Sequence, residues 1–143
     1  MKLALVKDGK VEVVELPKEH DYRDLKRLLE IDSPLDCIER KVNGKTFDVW
    51  IDDEGALKDD EEITAMTIME GKEGKKVCEL LLGNLIIANH DGEGNTTGLS
   101  DEEIELVKGA MIKIPYAKYM KPIEWVGAER RVREDGALFV LGI

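Results

Sequence analysis

The sequence predicts an α+β fold, a mostly antiparallel sheet of about five or six strands covered by two main helices. Three observations carry this. Asp8-Gly9 and Asn43-Gly44 each sit between short runs rich in β-branched and aliphatic residues, the pattern of tight hairpins. Tyr22, Leu25, Leu28 and Leu29 fall at helical spacing between those hairpins. Ser100 and Glu103 open a second helix shortly after the apolar run Leu85-Ile86-Ile87-Ala88.

In the first hairpin, Leu3 to Val6 pairs with Val11 to Val14 across Asp8-Gly9. A type I′ turn needs φ > 0 at both central residues, which aspartate, asparagine and glycine tolerate. In the second hairpin, Ile38 to Val42 pairs with Thr46 to Ile51, and a two-residue loop sets Ile38 opposite Val49 and Arg40 opposite Phe47. Side chains alternate along a strand, so Ile38, Val42, Phe47, Val49 and Ile51 share the core face. The other face sets Glu39 opposite Asp48 and Cys37 opposite Trp50. Like charges directly opposite are unfavourable, so Lys41 or another nearby cation is expected to relieve them.

Between the hairpins, Asp21 is placed to cap the first helix, and Ser33-Pro34 is expected to stop it. The first half therefore reads β-β-α-β-β. Asp52 to Glu62 forms an acidic turn about Gly55, Ile63 to Met69 a short strand, and Gly71 to Lys76 a mobile loop. Val77 to Leu82 is apolar but ambiguous in type, while the β-branched content of Leu85 to Ala88 marks a buried strand. In the second helix, Ser100 and Glu103 form a capping box, and Leu99 and Ile104 a hydrophobic staple. Asp101, Glu102 and Glu103 suit the positive end of its dipole, and Ile104, Val107 and Met111 are read as its core stripe. Pro115 and Pro122 break the pattern. The apolar end, Leu138 to Ile143, reads as a strand or docking tail that packs on its own domain or on a partner subunit. Residues 1–143 are taken as a single domain, with 112–143 as the docking segment. No internal repeat or low-complexity segment is present.

Composition narrows the class. Hydrophobic residues make up 43% and charged residues 36%, the balance of a globular chain. No apolar run approaches the roughly 20 residues that span a bilayer. Met1 to Gly9 is charged too early for a secretory leader, so a cytoplasmic address is expected. The two cysteines, Cys37 and Cys78, lack a CxxC partner and are expected as buried free thiols.

The net charge of −10 disfavours direct nucleic-acid binding, and the charge is uneven. Residues 52–73 hold nine acids against Lys58 and Lys72, and residues 111–133 hold six bases against Glu124 and Glu129. The plain reading is two solvated surfaces that face each other. The sharper one is a basic arm that docks on the acidic face of a second subunit.

Motifs that could carry chemistry are few. Asp91, Glu93, Asn95, Thr97 and Glu102 fall at positions 1, 3, 5, 7 and 12 of a calcium-loop template, an alternation of oxygen ligands that suits a hard cation. Thr96 stands where the sharp turn wants glycine, and Gly98 where an apolar residue normally packs. A glycine-rich strand-to-helix loop is therefore the simpler reading. His90 beside Asp91 could form an acid–base pair, but a surface histidine at a strand end is favoured. Cys37 as a nucleophile would need a base and an oxyanion donor, so a half-buried thiol against Trp50 is expected instead. Gly83, Gly92 and Gly94 do not make a phosphate loop, which needs Lys-Ser/Thr after its last glycine. Asp52-Asp53 and Asp59-Asp60 belong to a charge run, which is usually a solvated face.

The segment Asp36-Cys37-Ile38-Glu39-Arg40-Lys41-Val42-Asn43-Gly44-Lys45 leads into Val49-Trp50-Ile51-Asp52-Asp53-Glu54-Gly55-Ala56-Leu57-Lys58. Leu82-Gly83-Asn84-Leu85-Ile86-Ile87 and Glu93-Gly94-Asn95 follow, then Leu99-Ser100-Asp101-Glu102-Glu103. This order resembles a family of small bacterial proteins, a domain of unknown function met in phages, plasmids and conjugative elements. The resemblance spans roughly residues 20–110. The stretch after Lys58, often proline- and arginine-containing in that family, is acidic here, and the last thirty residues lie outside the pattern. The resemblance implies genomic context and supplies no catalytic residues.

The sequence thus assigns no catalytic, cofactor-binding or metal-ligating residue and no cofactor. It leads to a non-enzymatic accessory protein of a mobile element that binds a host or phage protein, with anti-defence action through an acidic, DNA-like face as one form of it. The alternative is a small-ligand or ion-binding module centred on the loop from Asp91 to Glu102. A homo-oligomer is compatible with either, and no membrane contact is expected.

Overall fold

The computed structural model describes residues 1–59 and 62–143, so Asp60 and Glu61 of the acidic run lie outside the described residues. The first hairpin forms from β1 (Lys2–Lys7) and β2 (Lys10–Glu15), with Asp8 and Gly9 both at positive φ. Helix α1 (Tyr22–Leu29) begins on a full capping box: the Asp21 carboxylate accepts from the amide of Arg23, and the carboxylate of Asp24 accepts from the amide of Asp21. It ends before Ser33-Pro34, because Glu30 turns left-handed (φ 61°) and returns its amide to Arg27 and Lys26.

The second hairpin, β3 (Leu35–Val42) and β4 (Lys45–Asp52), has the expected register, with Ile38 opposite Val49 and Glu39 opposite Asp48. A 3₁₀ turn over Gly55–Leu57 leads to β5 (Glu62–Glu70), and another over Lys72–Gly74 to β6 (Lys76–Leu82). The ambiguous run Val77 to Leu82 is thus a strand, fixed by its ladder with β5. Strand β7 (Leu85–His90) is followed by the short β8 (Thr96–Thr97) and helix α2 (Asp101–Lys108). The helix stops at Gly109, so Met111 opens β9 (Met111–Lys113) instead of completing a helical stripe. A 3₁₀ turn over Ala117–Tyr119 then precedes β10 (Ile123–Trp125), β11 (Ala128–Val132) and β12 (Ala137–Leu141).

The fold is α+β and rich in sheet, but the strands divide into two six-stranded sheets. The first has the order β2-β1-β7-β4-β3, with β8 added on β7. In the second, β5 is the hub. Strand β6 pairs along one edge of β5, and β11 and β12 run parallel to it in succession, β11 at residues 62–63 and β12 at residues 65–67. Strands β10 and β9 then flank β11 and β12.

One apolar core joins the sheets. Val6, Phe47, Val49 and Ile87 from the first pack with Ala65, Leu81, Phe139 and Leu141 from the second, and with Ile104 and Val107 of α2. A fully buried side chain of this size contributes roughly 1.5–3 kcal/mol. Helix α1 seals the opposite face of the first sheet through Leu25 and Leu29, against Leu3, Leu5 and Ile86. The segment 112–143, expected as a docking tail, supplies strands to this chain's own second sheet, and Leu138, Phe139 and Leu141 are buried there. The uneven charges also meet within the chain. Arg133 lies 3.1 Å from Glu62, and the buried Arg130 donates to the carbonyls of Ala56 (2.8 Å) and Lys58 (3.1 Å). Among the described residues, no helix is long and apolar enough to cross a membrane.

Candidate functional site

The loop from Asp91 to Glu102 serves the backbone. Asp91 Oδ1 accepts from the amides of Glu93 and Asn95, both at 2.9 Å, and Oδ2 accepts from the side chain of Asn95 at 3.3 Å. These bonds, that to the Asn95 amide foremost, hold its carboxyl below the usual range against the opposing effect of desolvation. The result is a β7–β8 hairpin, with His90 opposite Thr96 and Asn89 opposite Thr97. Gly98 is small for a local reason: a Cβ there would meet Met1 Cβ at 2.8 Å and the backbone of Lys2 at 3.1 Å. Asp91, Glu93 and Glu102 do not form a converging set of ligand atoms among the described residues.

Glu103 ties α2 to the first sheet. Its carboxylate accepts from the Ser100 amide and from Asn89 Nδ2, each at 2.9 Å, and pairs with Lys45 Nζ at 2.8 Å. Burial alone would raise its pKa. The Lys45, Ser100 and Asn89 bonds outweigh burial and hold it down to about 2.

His90 finds a partner other than its sequence neighbour. Its Nδ1 donates to Asp48 Oδ2 at 2.8 Å, diagonally across the β4–β7 ladder. Glu39 lies directly opposite Asp48 on β3. Ligand atoms of Glu39, Asp48 and His90 all fall within 4.8 Å of one another, the one such acidic or histidine cluster among the described residues. Asp48 is 7% exposed, whereas Glu39 and His90 reach solvent. The Asp48 bond, followed by the charges of Asp48, Glu39 and Asp91, raises the His90 pKa.

Cys37 and Cys78 are both free and both exposed, not buried as expected. Cys37 does pair across the ladder with Trp50. Its thiol is pushed up to about 11, first by desolvation of the sulfur against the sheet and then by Asp48, Asp36 and Glu39. That is the opposite of an activated nucleophile. Beside this cluster, the Tyr22 and Trp50 rings meet at a tilt of 55° with centroids 6.1 Å apart, and they line a cleft of about 300 Å³ with His20 and Asn95. Trp50 Nε1 is buried without a hydrogen-bond partner.

A second surface lies on residues 112–132. Tyr116 caps the 3₁₀ turn that Tyr119 closes, and the two are 80% and 73% exposed, with Met120, Ile123 and Val126 also uncovered. Tyr116 and Val126 both hold left-handed backbone, at φ 57° and 52°. This conformation is costly for bulky side chains, which here bury little in return. Lys118 Nζ sits 5.1 Å from the Tyr119 ring centroid. Among the described residues, Lys118, Lys121 and Arg131 form no ion pair within 4.0 Å. The basic character of this surface matches the basic arm expected at residues 111–133, whereas its exposed aromatic residues were not expected. The lysines were visible in the sequence, but the exposure of the tyrosines was not.

The fold and these surfaces define a small α+β protein with two packed sheets. The chain belongs to a family defined by a domain of unknown function (DUF3846), which it matches over residues 1–112. The match takes in the whole of the resemblance at residues 20–110. No curated protein and no solved structure matches the chain.

Proposed function

We propose that this is a non-enzymatic accessory protein of a mobile genetic element, acting by binding another protein through the surface at residues 112–132. The exposure of Tyr116 and Tyr119 on a strained turn carries this reading. Tyrosines bring large contact area at low entropic cost, and such residues dominate binding energy at interfaces. Lys118, Lys121 and Arg131 border them, so the partner is expected to present a carboxylate-rich face. Ion pairs across that rim would steer encounter and weaken with salt. The mobile-element setting follows from the resemblance at residues 20–110.

The test is capture by the full-length protein with a photo-crosslinker at position 119, in low and high salt, with Val13 as the control position. Crosslinking at 119 to a defined protein, lost on Tyr116→Ala and Lys118→Glu, would support the reading. Retention of single-stranded DNA or RNA in place of a protein would overturn it, and so would equal crosslinking from both positions. A second reading is an ion-binding module, supported not at the expected loop from Asp91 to Glu102 but at Glu39, Asp48 and His90, whose ligand atoms converge.

A further inference from the structure

The cluster on the first sheet supports an inference independent of that surface. We propose that Glu39, Asp48 and His90 together bind one divalent first-row transition-metal cation. Three adjacent strands, β3, β4 and β7, present the ligands, and their ligand atoms already lie within 4.8 Å of one another. Ligands on strands are held more firmly than ligands on loops.

The donor set selects the cation class. Calcium and magnesium take oxygen ligands, while imidazole suits zinc, iron, copper and nickel. One imidazole with two carboxylates therefore fits zinc, manganese(II) or cobalt(II) better than calcium. Three protein ligands leave coordination positions for water. The exposed sides of Glu39 and His90 provide the way in.

Asp48 is buried with His90 as its side-chain partner, so a metal at the cluster would add positive charge beside a carboxylate that water barely reaches. A carboxylate so buried keeps its charge only when paired or well hydrogen-bonded. Among the described residues, His90 is its one side-chain donor, and neither Asp48 nor Glu39 forms an ion pair with lysine or arginine. Nearby Arg40 turns away, bonding the Glu39 carbonyl and the Glu79 carboxylate. With neutral His90, the two carboxylates that face each other across the ladder are offset only by the hydrogen bond His90 donates to Asp48. A dication coordinated by both, and by the imidazole, removes that conflict. Coordination at the imidazole needs its unprotonated nitrogen, so binding releases a proton to solvent where that nitrogen was protonated.

The test uses untagged, chelator-treated full-length protein titrated with zinc and, separately, with substoichiometric manganese(II). The chain has two histidines, His20 and His90, which serve as internal comparison. Zinc is expected to bind one per chain by calorimetry, and manganese to broaden the His90 ring signals while sparing His20. Glu39→Gln and Asp48→Asn should each weaken zinc binding by about tenfold or more, and Glu102→Gln should leave it unchanged. Glu39 is exposed, so its variant keeps the test decisive if Asp48→Asn fails to fold. No saturable zinc binding up to about 1 mM, affinity unchanged in Glu39→Gln, or broadening centred on His20 would overturn the proposal.

Discussion

His90 Nδ1 lies 2.8 Å from Asp48 Oδ2, although 42 residues separate them in the chain. The bond links the exposed end of β7 to a buried carboxylate on β4. In the metal-free protein it should be visible in proton titration. The His90 ring is expected to titrate above the ordinary 6.5, with Asp48, Glu39 and Asp91 all favouring its charged form. A raised folded pKa means that the stabilisation is fully present below about 6.5 and is lost as pH rises through the folded value. NMR of the two histidine rings checks this. Asp48→Asn should bring the His90 midpoint down; an unmoved midpoint would show that the bond does not persist in solution.

Glu103 works in the opposite direction. Its folded pKa of about 2 lies below the ordinary 4.5, so its contribution is present above about 4.5 and is lost as pH falls towards 2. That difference corresponds to roughly 3 kcal/mol at most. Urea midpoints recorded from pH 6 to pH 2 should fall, and Glu103→Gln should flatten the dependence while lowering stability near neutrality.

Arg130 is 2% exposed and donates to the carbonyls of Ala56 and Lys58 on the turn that leads into β5. Arg130→Met keeps most of the volume but leaves those carbonyls without their donor. The expected loss is about 2–4 kcal/mol in chemical denaturation. Arg130→Lys should recover only part, since an ammonium cannot reproduce the planar fork.

Gly142 holds φ 88°, and its missing Cβ would overlap the carbonyl of Ile68. Gly142→Ala is expected to destabilise by more than about 1 kcal/mol. Gly92→Ala, with open space and no positive φ, should be nearly neutral. Equal melting temperatures for the two variants would refute the close approach.

Cys37 should react slowly with iodoacetamide at pH 7.5 despite its exposure, because its thiol is held near 11. Removing the carboxylate charge with Asp48→Asn should speed alkylation.

What could be read in advance followed the reach of each signal. Asp8-Gly9 and Asn43-Gly44 act within four residues and set their hairpin registers outright. The Ser100–Glu103 box did the same for α2. The end of α1 at Leu29 is not legible because Glu30 adopts a left-handed cap that asparagine or glycine would announce. Met111 was assigned to a helix that Gly109 had already closed. The second sheet was not legible, since β5 takes its parallel partners from residues 131–141 and no local pattern encodes so distant a pairing. The site followed the same rule. Glu39 opposite Asp48 was plain in the hairpin, whereas the pairing of His90 with Asp48 depends on β7 lying beside β4.

The hub position of β5 bears on how the chain is made. Ala65 pairs with Phe139, so β5 leaves the ribosome roughly seventy residues before its parallel partner. Until then, one edge of an apolar strand stays open while β6 covers the other. A nascent chain stalled before residue 128 would expose that edge to chaperones or to a neighbouring nascent copy. Translation speed between residues 71 and 141 is therefore expected to affect yield.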